Sequence, residues 1–355
     1  DTTGSSLSNA NRPQQGLPAA GGLKKEGKMK KELKIFKPLL SGRLHITYPM
    51  IAFMQHKDGE TFLYNSFLNI ECLKEGYDLN LCYTTLIEKE NCYDLHHINI
   101  YKEYEDFLEE KKMDLVSAII DENNKENYVY IAFDDFYLPG KKHEKHFLHI
   151  NMIYGYDDDE RVFFSVGYDS ERKYRKLLIP FDVAEKAFTS FRKVGVYRPN
   201  HDVNYSFDKQ YFLFQVQDFL ASEHNFVTEE EMNECYLSKK DFFYGLKVYD
   251  RVEEHLLRHM DGEGLDFRNI HQLYELSLLN MKRMSYLKEN LDFNISDELI
   301  EMSSEIFKIS EIMRNYTLKS LIKNDKNLIE KVLEYLNLHR EKNVFFYNQL
   351  LTAFE

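Results

Sequence analysis

The chain changes its hydrophobic period near residue 205, and that change limits what it can fold into. Between about 34 and 200, short aromatic and β-branched runs alternate with turn residues. YVYIAFDDFY (128–137) stops at Leu138-Pro139-Gly140, and HFLHINMIYGY (146–156) stops at the charged turn Asp157-Asp158-Asp159-Glu160. RVFFSVGYD (161–169) reads as the hairpin partner of the second run, and KLLIPF (176–181) as a further strand. Strands joined by such short turns predict an antiparallel sheet. DVAEKAFTSF (182–191) opens on a capping Asp182 and is helical by period. Upstream, FLYNSFLNIECLKEG (62–76) spaces Leu63, Phe67, Ile70 and Leu73 as an amphipathic helix that stops at Gly76. After 205 the period is helical throughout. It predicts helices near 208–223, 238–260, 268–290, 296–323 and 325–351, with Ser238 and Ser296 as caps.

The predicted organisation is therefore an α+β domain over 29–200 and an all-helical domain over 205–355, with the boundary around RPNHDVN. Residues 1–28, rich in Gly, Ser, Asn, Gln, Pro and Ala, read as a disordered leader or expression tag, with Met29 as a natural start. The net charge of −13 argues against general nucleic-acid binding, which rests on clustered Lys and Arg. No apolar run approaches the roughly 18–20 residues that span a bilayer, and no secretory signal is visible. The expectation is a cytoplasmic protein with no membrane partner. Cys72, Cys82, Cys92 and Cys235 are then reduced thiols, and the Asn-x-Ser/Thr matches at Asn204, Asn294 and Asn315 carry no glycans.

The segment with most chemistry runs from Asp134 to Asp159. Strand alternation places His149, Asn151 and Ile153 on one face and Leu148, Ile150 and Met152 on the other. An imidazole fixed on a sheet and facing the start of a helix is the arrangement a nucleophile–His acyl-transfer site needs. A purely structural strand histidine is the plainer alternative. No metal is expected. His143, His146 and His149 do not converge in extended backbone, and Cys82, Cys92, His96 and His97 lack ligand spacing. DDDE (157–160) and EEE (229–231) read as a hairpin turn and a first helical turn. No phosphate-binding loop is present.

The run FYLP…HFLH…YGYDDD, continued by RVFFSVGYDSERKYRKLLIPFDVAEKAF, resembles the N-terminal domain of the butirosin-biosynthesis acyltransferase family. GLKVYDRVEEHL and LDFRNIHQLYELSLLNMKRMSYL resemble the helical C-terminal part of such proteins, so the likeness covers most of 60–350. That family is papain-like and related to bacteriocin-leader peptidases and to the transacylase of closthioamide biosynthesis. The resemblance implies a nucleophile-bearing helix packed on an antiparallel sheet, and an acyl or aminoacyl group passed from a carrier-protein thioester to an amine. Such a protein takes part in specialised-metabolite, nonribosomal peptide-like assembly. The implied partners are an acyl or peptidyl carrier protein, which presents the substrate on phosphopantetheine, and a small-molecule amine. No cofactor is implied beyond that arm.

On this likeness the nucleophile position falls in Tyr64-Asn65-Ser66-Phe67 and is held by Ser66 where the family has Cys. His149 would be the general base. The acid expected on the following strand is replaced by Ser165-Val166-Gly167, which leaves Asn151, Asp134 or Asp135 to orient the imidazole. Three readings of Ser66 stay open: an engineered Cys-to-Ser change, a natural Ser nucleophile, or a member that binds without catalysing. A small residue at a helix start is the plainest use of Ser66. The rival functions are a papain-like accessory protein of a biosynthetic complex and a peptidase- or thioesterase-like hydrolase. Docking an acidic carrier would require a local basic patch, such as Lys141-Lys142 to His146.

Overall fold

A computed structural model describes residues 29–75, 79–84, 96–101, 104–141, 145–171, 173–188, 194–225, 239–291 and 293–354. The 1–28 leader, Gly76, Cys92, His143, EEE (229–231), Cys235, Ser238 and the 189–191 end of the expected helix lie outside the described residues.

The fold is mixed α+β: an antiparallel sheet followed by a helical C-terminal region. The sheet runs in the order β4 (His96–Tyr101), β9 (Val194–Pro199), β5 (Tyr128–Asp134), β6 (Leu148–Asp157), β7 (Val162–Tyr168), β8 (Tyr174–Pro180), and β1 (Lys30–Glu32) also pairs with β6. Every pairing is antiparallel. All of β5 is buried because both faces are covered. Tyr128 and Tyr130 pack with Tyr48, Ile51 and Ala52 of α1 (Leu44–Phe53). Val129, Ile131 and Phe133 pack on the other side with residues of α3 (Tyr104–Lys111), α4 (Leu115–Asn124) and α5 (Phe181–Ala187). Alternation along one strand thus feeds two cores.

The helical region comprises α6 (Lys209–Ala221), α7 (Lys247–Met260), α8 (Phe267–Asn290), α9 (Asp297–Lys323) and α10 (Asn327–Phe354). Their starts are chemically marked. Asp208, Asp266 and Ser296 each accept a hydrogen bond from a backbone N–H of the first turn. One large core joins these helices to residues 40–83 of the N-terminal half.

Two expectations are corrected. The segment 62–76 is not one helix: α2 (Gly59–Asn65) ends at Ser66, and β2 (Ile70–Leu73) follows. The apolar spacing serves either period, and local chemistry decides. Phe67 takes a left-handed conformation (φ +59°), and the Asn69 side chain accepts from the Ile70 N–H and donates to the Glu223 carbonyl. The region after 205 is not all-helical either. Phe242–Tyr244 forms β10, which pairs with β2 beside β3 (Cys82–Tyr83) in a separate three-stranded sheet. Gly245 then turns the chain into α7 at φ +51°, and a Cβ there would lie 2.1 Å from the Phe219 carbonyl oxygen.

Burial sets a pH limit on the helical region. His339 sits fully buried between the Tyr249 hydroxyl (2.9 Å) and the Ser277 hydroxyl (2.7 Å), and burial pushes its pKa down to about 3. His224 is pushed down to about 4, chiefly by burial and secondarily by Lys239. Both stay neutral in the fold, whereas the unfolded chain takes up protons below about 6.5. Stability is therefore full above that pH and falls as pH drops toward 4, each group contributing about 1.4 kcal/mol per pH unit well below 6.5. Glu71, raised to about 8 by burial, acts with the opposite sign, losing its contribution as pH rises. The prediction is a shallower fall in unfolding free energy between pH 6 and 4.5 for His339→Gln than for the unaltered chain, measured by denaturant titration. Equal slopes would refute the assignment.

Candidate functional site

β5 and β6 bring three charged or chargeable groups to one end of the sheet. The register pairs Phe133 with His149 and Asp134 with Leu148, so Asp135 follows directly from the end of β5, beside His149. Its N–H donates to the Phe147 carbonyl at 2.8 Å. Asp135 Oδ2 lies 3.1 Å from His149 Nδ1 and 3.3 Å from Lys141 Nζ. The carboxylate and the ammonium are both buried, while 29 % of the His149 side chain is exposed. Burial pulls the Lys141 pKa down, and the nearby Asp135 and Asp169 carboxylates partly counter it. The tautomer with Nδ1–H donating to Asp135 leaves the lone pair on Nε2.

Asn151 is two residues along the same strand. Its Nδ2 donates to the His149 carbonyl at 3.0 Å, and its buried Oδ1 has no hydrogen-bond donor among the described residues. Gly167, opposite it on β7, leaves open a polar niche. A Cβ there would meet Asn151 Oδ1 and the Tyr48 hydroxyl at 3.4 Å and Lys141 Nζ at 3.7 Å. Tyr48 reaches across from α1, its hydroxyl donating toward the carbonyls of Ile150 (3.1 Å) and Val166 (3.2 Å). The helix thereby locks onto both strands of the site. Asp134 faces away from this cluster, with Oδ2 2.6 Å from His146 Nδ1 and Oδ1 accepting from the Phe136 and Phe147 N–H groups. Phe147, 50 % exposed, lies beside His149, and Phe136, 44 % exposed, lies beside His146.

Ser66 is elsewhere. It terminates α2, a C-terminal and not an N-terminal helix position, and it is completely buried in the core shared with the helical region. Its carbonyl accepts from Arg283 Nη2 at 2.6 Å. Its hydroxyl lies against the Tyr205 phenol without good hydrogen-bond geometry. Among the described residues it shares no partner with His149, Asp135 or Asn151. Asn65 beside it is a structural hub: its side chain bonds the Asp208 backbone at both ends (2.6 and 3.0 Å) and accepts from the Tyr205 hydroxyl, and its carbonyl accepts from Gln215. The Tyr-Asn-Ser motif therefore ties the inter-region linker to α2.

Lys141, Tyr48 and Gly167 complete the site without having been singled out for it by sequence. The sequence groups Lys141 with Lys142 in a candidate basic patch. Lys141 is instead 2 % exposed and committed to Asp135, and Lys142 lies outside the described residues. No group of His, Cys, Asp and Glu able to hold a metal occurs among the described residues, though Cys92 falls outside them and the side chains of His96 and His97 are undescribed. No family model and no curated protein matches the chain.

The Ser66 hydroxyl and the Arg283 guanidinium that holds the Ser66 carbonyl respond differently to mutation. Ser66→Ala should cost no more than about 1 kcal/mol, because its hydroxyl makes no good hydrogen bond. Arg283→Met strips donors from the Tyr64 and Ser66 carbonyls and should cost about 3 kcal/mol or more. Thermal unfolding of both variants measures the contrast, and a larger loss from Ser66→Ala would overturn this placement.

Proposed function

We propose that the protein is a papain-like acyl-transfer enzyme in which His149, oriented by Asp135, is the general base. The observation that carries the reading is the 3.1 Å contact between His149 Nδ1 and a buried carboxylate, with the imidazole still partly open. The donor is an acyl or aminoacyl thioester on the phosphopantetheine arm of a carrier protein, and the acceptor is a small amine. As the amine nitrogen attacks the thioester carbonyl, His149 Nε2 takes its proton. The C–N bond forms, the C–S bond breaks, and the leaving thiolate takes the proton back from the imidazolium. Lys141 pairs with Asp135, and Asp135 holds the imidazole tautomer. Asn151 positions the strand at His149. The exposed Phe147 ring beside His149 suits an acyl chain or an arm arriving from solvent.

A second reading has its own observation. Ser66 is buried at a helix C-terminus, and α1, whose Tyr48 seats on the strands of the site, begins with Leu44 and has no nucleophile there. Both features suit an accessory protein that binds carrier or peptide without turning it over.

The test is amide formation from acyl-pantetheine thioesters and a panel of amines, followed by mass spectrometry. His149→Ala should lower the rate by roughly 10²–10⁴-fold. Asp135→Asn should lower it less and change the pH profile, and Ser66→Ala should leave it unchanged. Rates unaffected by His149→Ala would rule out the base. Acid and free thiol without amide would move the reading to a hydrolase, and no turnover with any donor would leave the accessory reading.

A further inference from the structure

We infer that Cys82 and His45 form a nucleophilic pair that captures an acyl group from a thioester as a second thioester on the protein. This rests on the acyl-transfer reading for its substrate class, and on independent geometry for its chemistry.

Cys82 is on β3 and His45 is the second residue of α1, 37 positions apart in the chain, yet Sγ and Nε2 lie 3.1 Å apart. A thiol in direct contact with an imidazole is the pairing that cysteine nucleophiles need, because the ring accepts the thiol proton as sulfur attacks. Several residues hold the pair in place. Arg43, immediately before α1, donates from Nε to the Leu81 carbonyl at 2.9 Å, so the residue preceding Cys82 is pinned to the first turn of the helix. The buried Glu275 carboxylate accepts from the Ser41 N–H (2.5 Å), the Ser41 hydroxyl (3.0 Å) and the Gly42 N–H (3.1 Å), which fixes the approach to α1.

Cys72 on the neighbouring strand is a control built into the same small sheet. It is 0 % exposed against 7 % for Cys82, and burial pushes its thiol up to about 12. Both cysteines belong to the same core, but His45, the partner of Cys82, is only half-buried. The pair also bears on the sheet site. His45 precedes Tyr48 by three residues, which places the two on adjacent turns of one helix face. Tyr48 is seated on the carbonyls of Ile150 and Val166.

The step balances without an added reagent. His45 Nε2 takes the Cys82 proton, sulfur attacks the donor carbonyl, a C–S bond to Cys82 forms and the donor C–S bond breaks. The departing pantetheine thiolate leaves with the proton from His45. The product is again a thioester, the bond that an amine would attack next.

The experiment has two readouts on the full chain. Iodoacetamide at pH 6.5, with peptide mapping over time, should label Cys82 at least tenfold faster than Cys72. His45→Gln should remove that advantage, and Cys82→Ser should remove the label while leaving the thermal unfolding profile unchanged. Incubation with S-acetyl-pantetheine should then add one acetyl group, mapped to Cys82 and absent from Cys82→Ser. Labelling of Cys82 no faster than Cys72, or equally fast in His45→Gln, overturns the pair. Fast alkylation with no acetylation overturns the acyl-capture assignment. Amide formation that needs His149 but persists undiminished in Cys82→Ser leaves the acyl-transfer reading standing and refutes this one. Acetylation of Cys82 without any amide product does the reverse.

Discussion

Arg283 is the constraint on which the junction between the sheet-bearing half and the helical region depends. It is fully buried on α8, and among the described residues it meets no carboxylate. Its guanidinium donates to the carbonyls of Tyr64 (2.7 Å), Ser66 (2.6 Å) and Phe67 (3.4 Å) and to the side chain of Asn280. Burial lowers its pKa to about 10, which still leaves it charged at neutral pH. A cation at the C-terminal end of α2 complements the helix dipole and satisfies carbonyls that have no intrahelical donor. The left-handed Phe67, a conformation that costs an L-residue roughly 1–2 kcal/mol, is held by the same fork. A lysine could supply the charge but not the planar set of donors. Because α2 stops there, the chain can turn into β2, pair with β3 and β10, and place Cys82 beside α1.

That dependence explains which parts of the fold could be read from the sequence. The long C-terminal helices were legible because an amphipathic period repeated over more than 20 residues has few alternatives, and the Ser296 cap marks where one of them begins. The hairpin of β6 and β7 was legible through its acidic turn. The stretch 62–76 was not, because Leu63, Phe67, Ile70 and Leu73 suit a helix stripe equally well. The break is made by the left-handed Phe67 and the Asn69 side chain, and it is braced by Arg283, 217 positions from Ser66. β10 was hidden for a related reason: three residues carry no period, and their strand character comes from β2.

The sheet site was half legible. His149 stood out as an imidazole on a strand, and Asp135 as one of several acids near it. The selection among Asn151, Asp134 and Asp135 comes from pairing register, which puts Asp135 against His149 and sends Asp134 to His146. No spacing rule distinguishes two adjacent aspartates at a strand end, because each successive residue points the opposite way and the end itself is uncertain by a residue or more. Lys141 carried a misleading signal. A Lys-Lys pair after Pro-Gly suggests solvent, but the first of the two turns inward and pairs with the buried Asp135 carboxylate.

Both chemical clusters converge on α1, and this gives the helix a role that its sequence does not advertise. LHITYPMIAF is apolar almost all round and has no polar face by which to recognise a surface helix. It is instead a buried spacer. One face supplies Tyr48, which grips the two strands beside His149, and its first turn supplies His45 to Cys82. A shift of α1 along its axis would disturb both contacts together, since they lie one turn apart on one rigid element. Glu275 and Arg43, which fix its start to α8 and to β3, therefore act on both sites through the same helix.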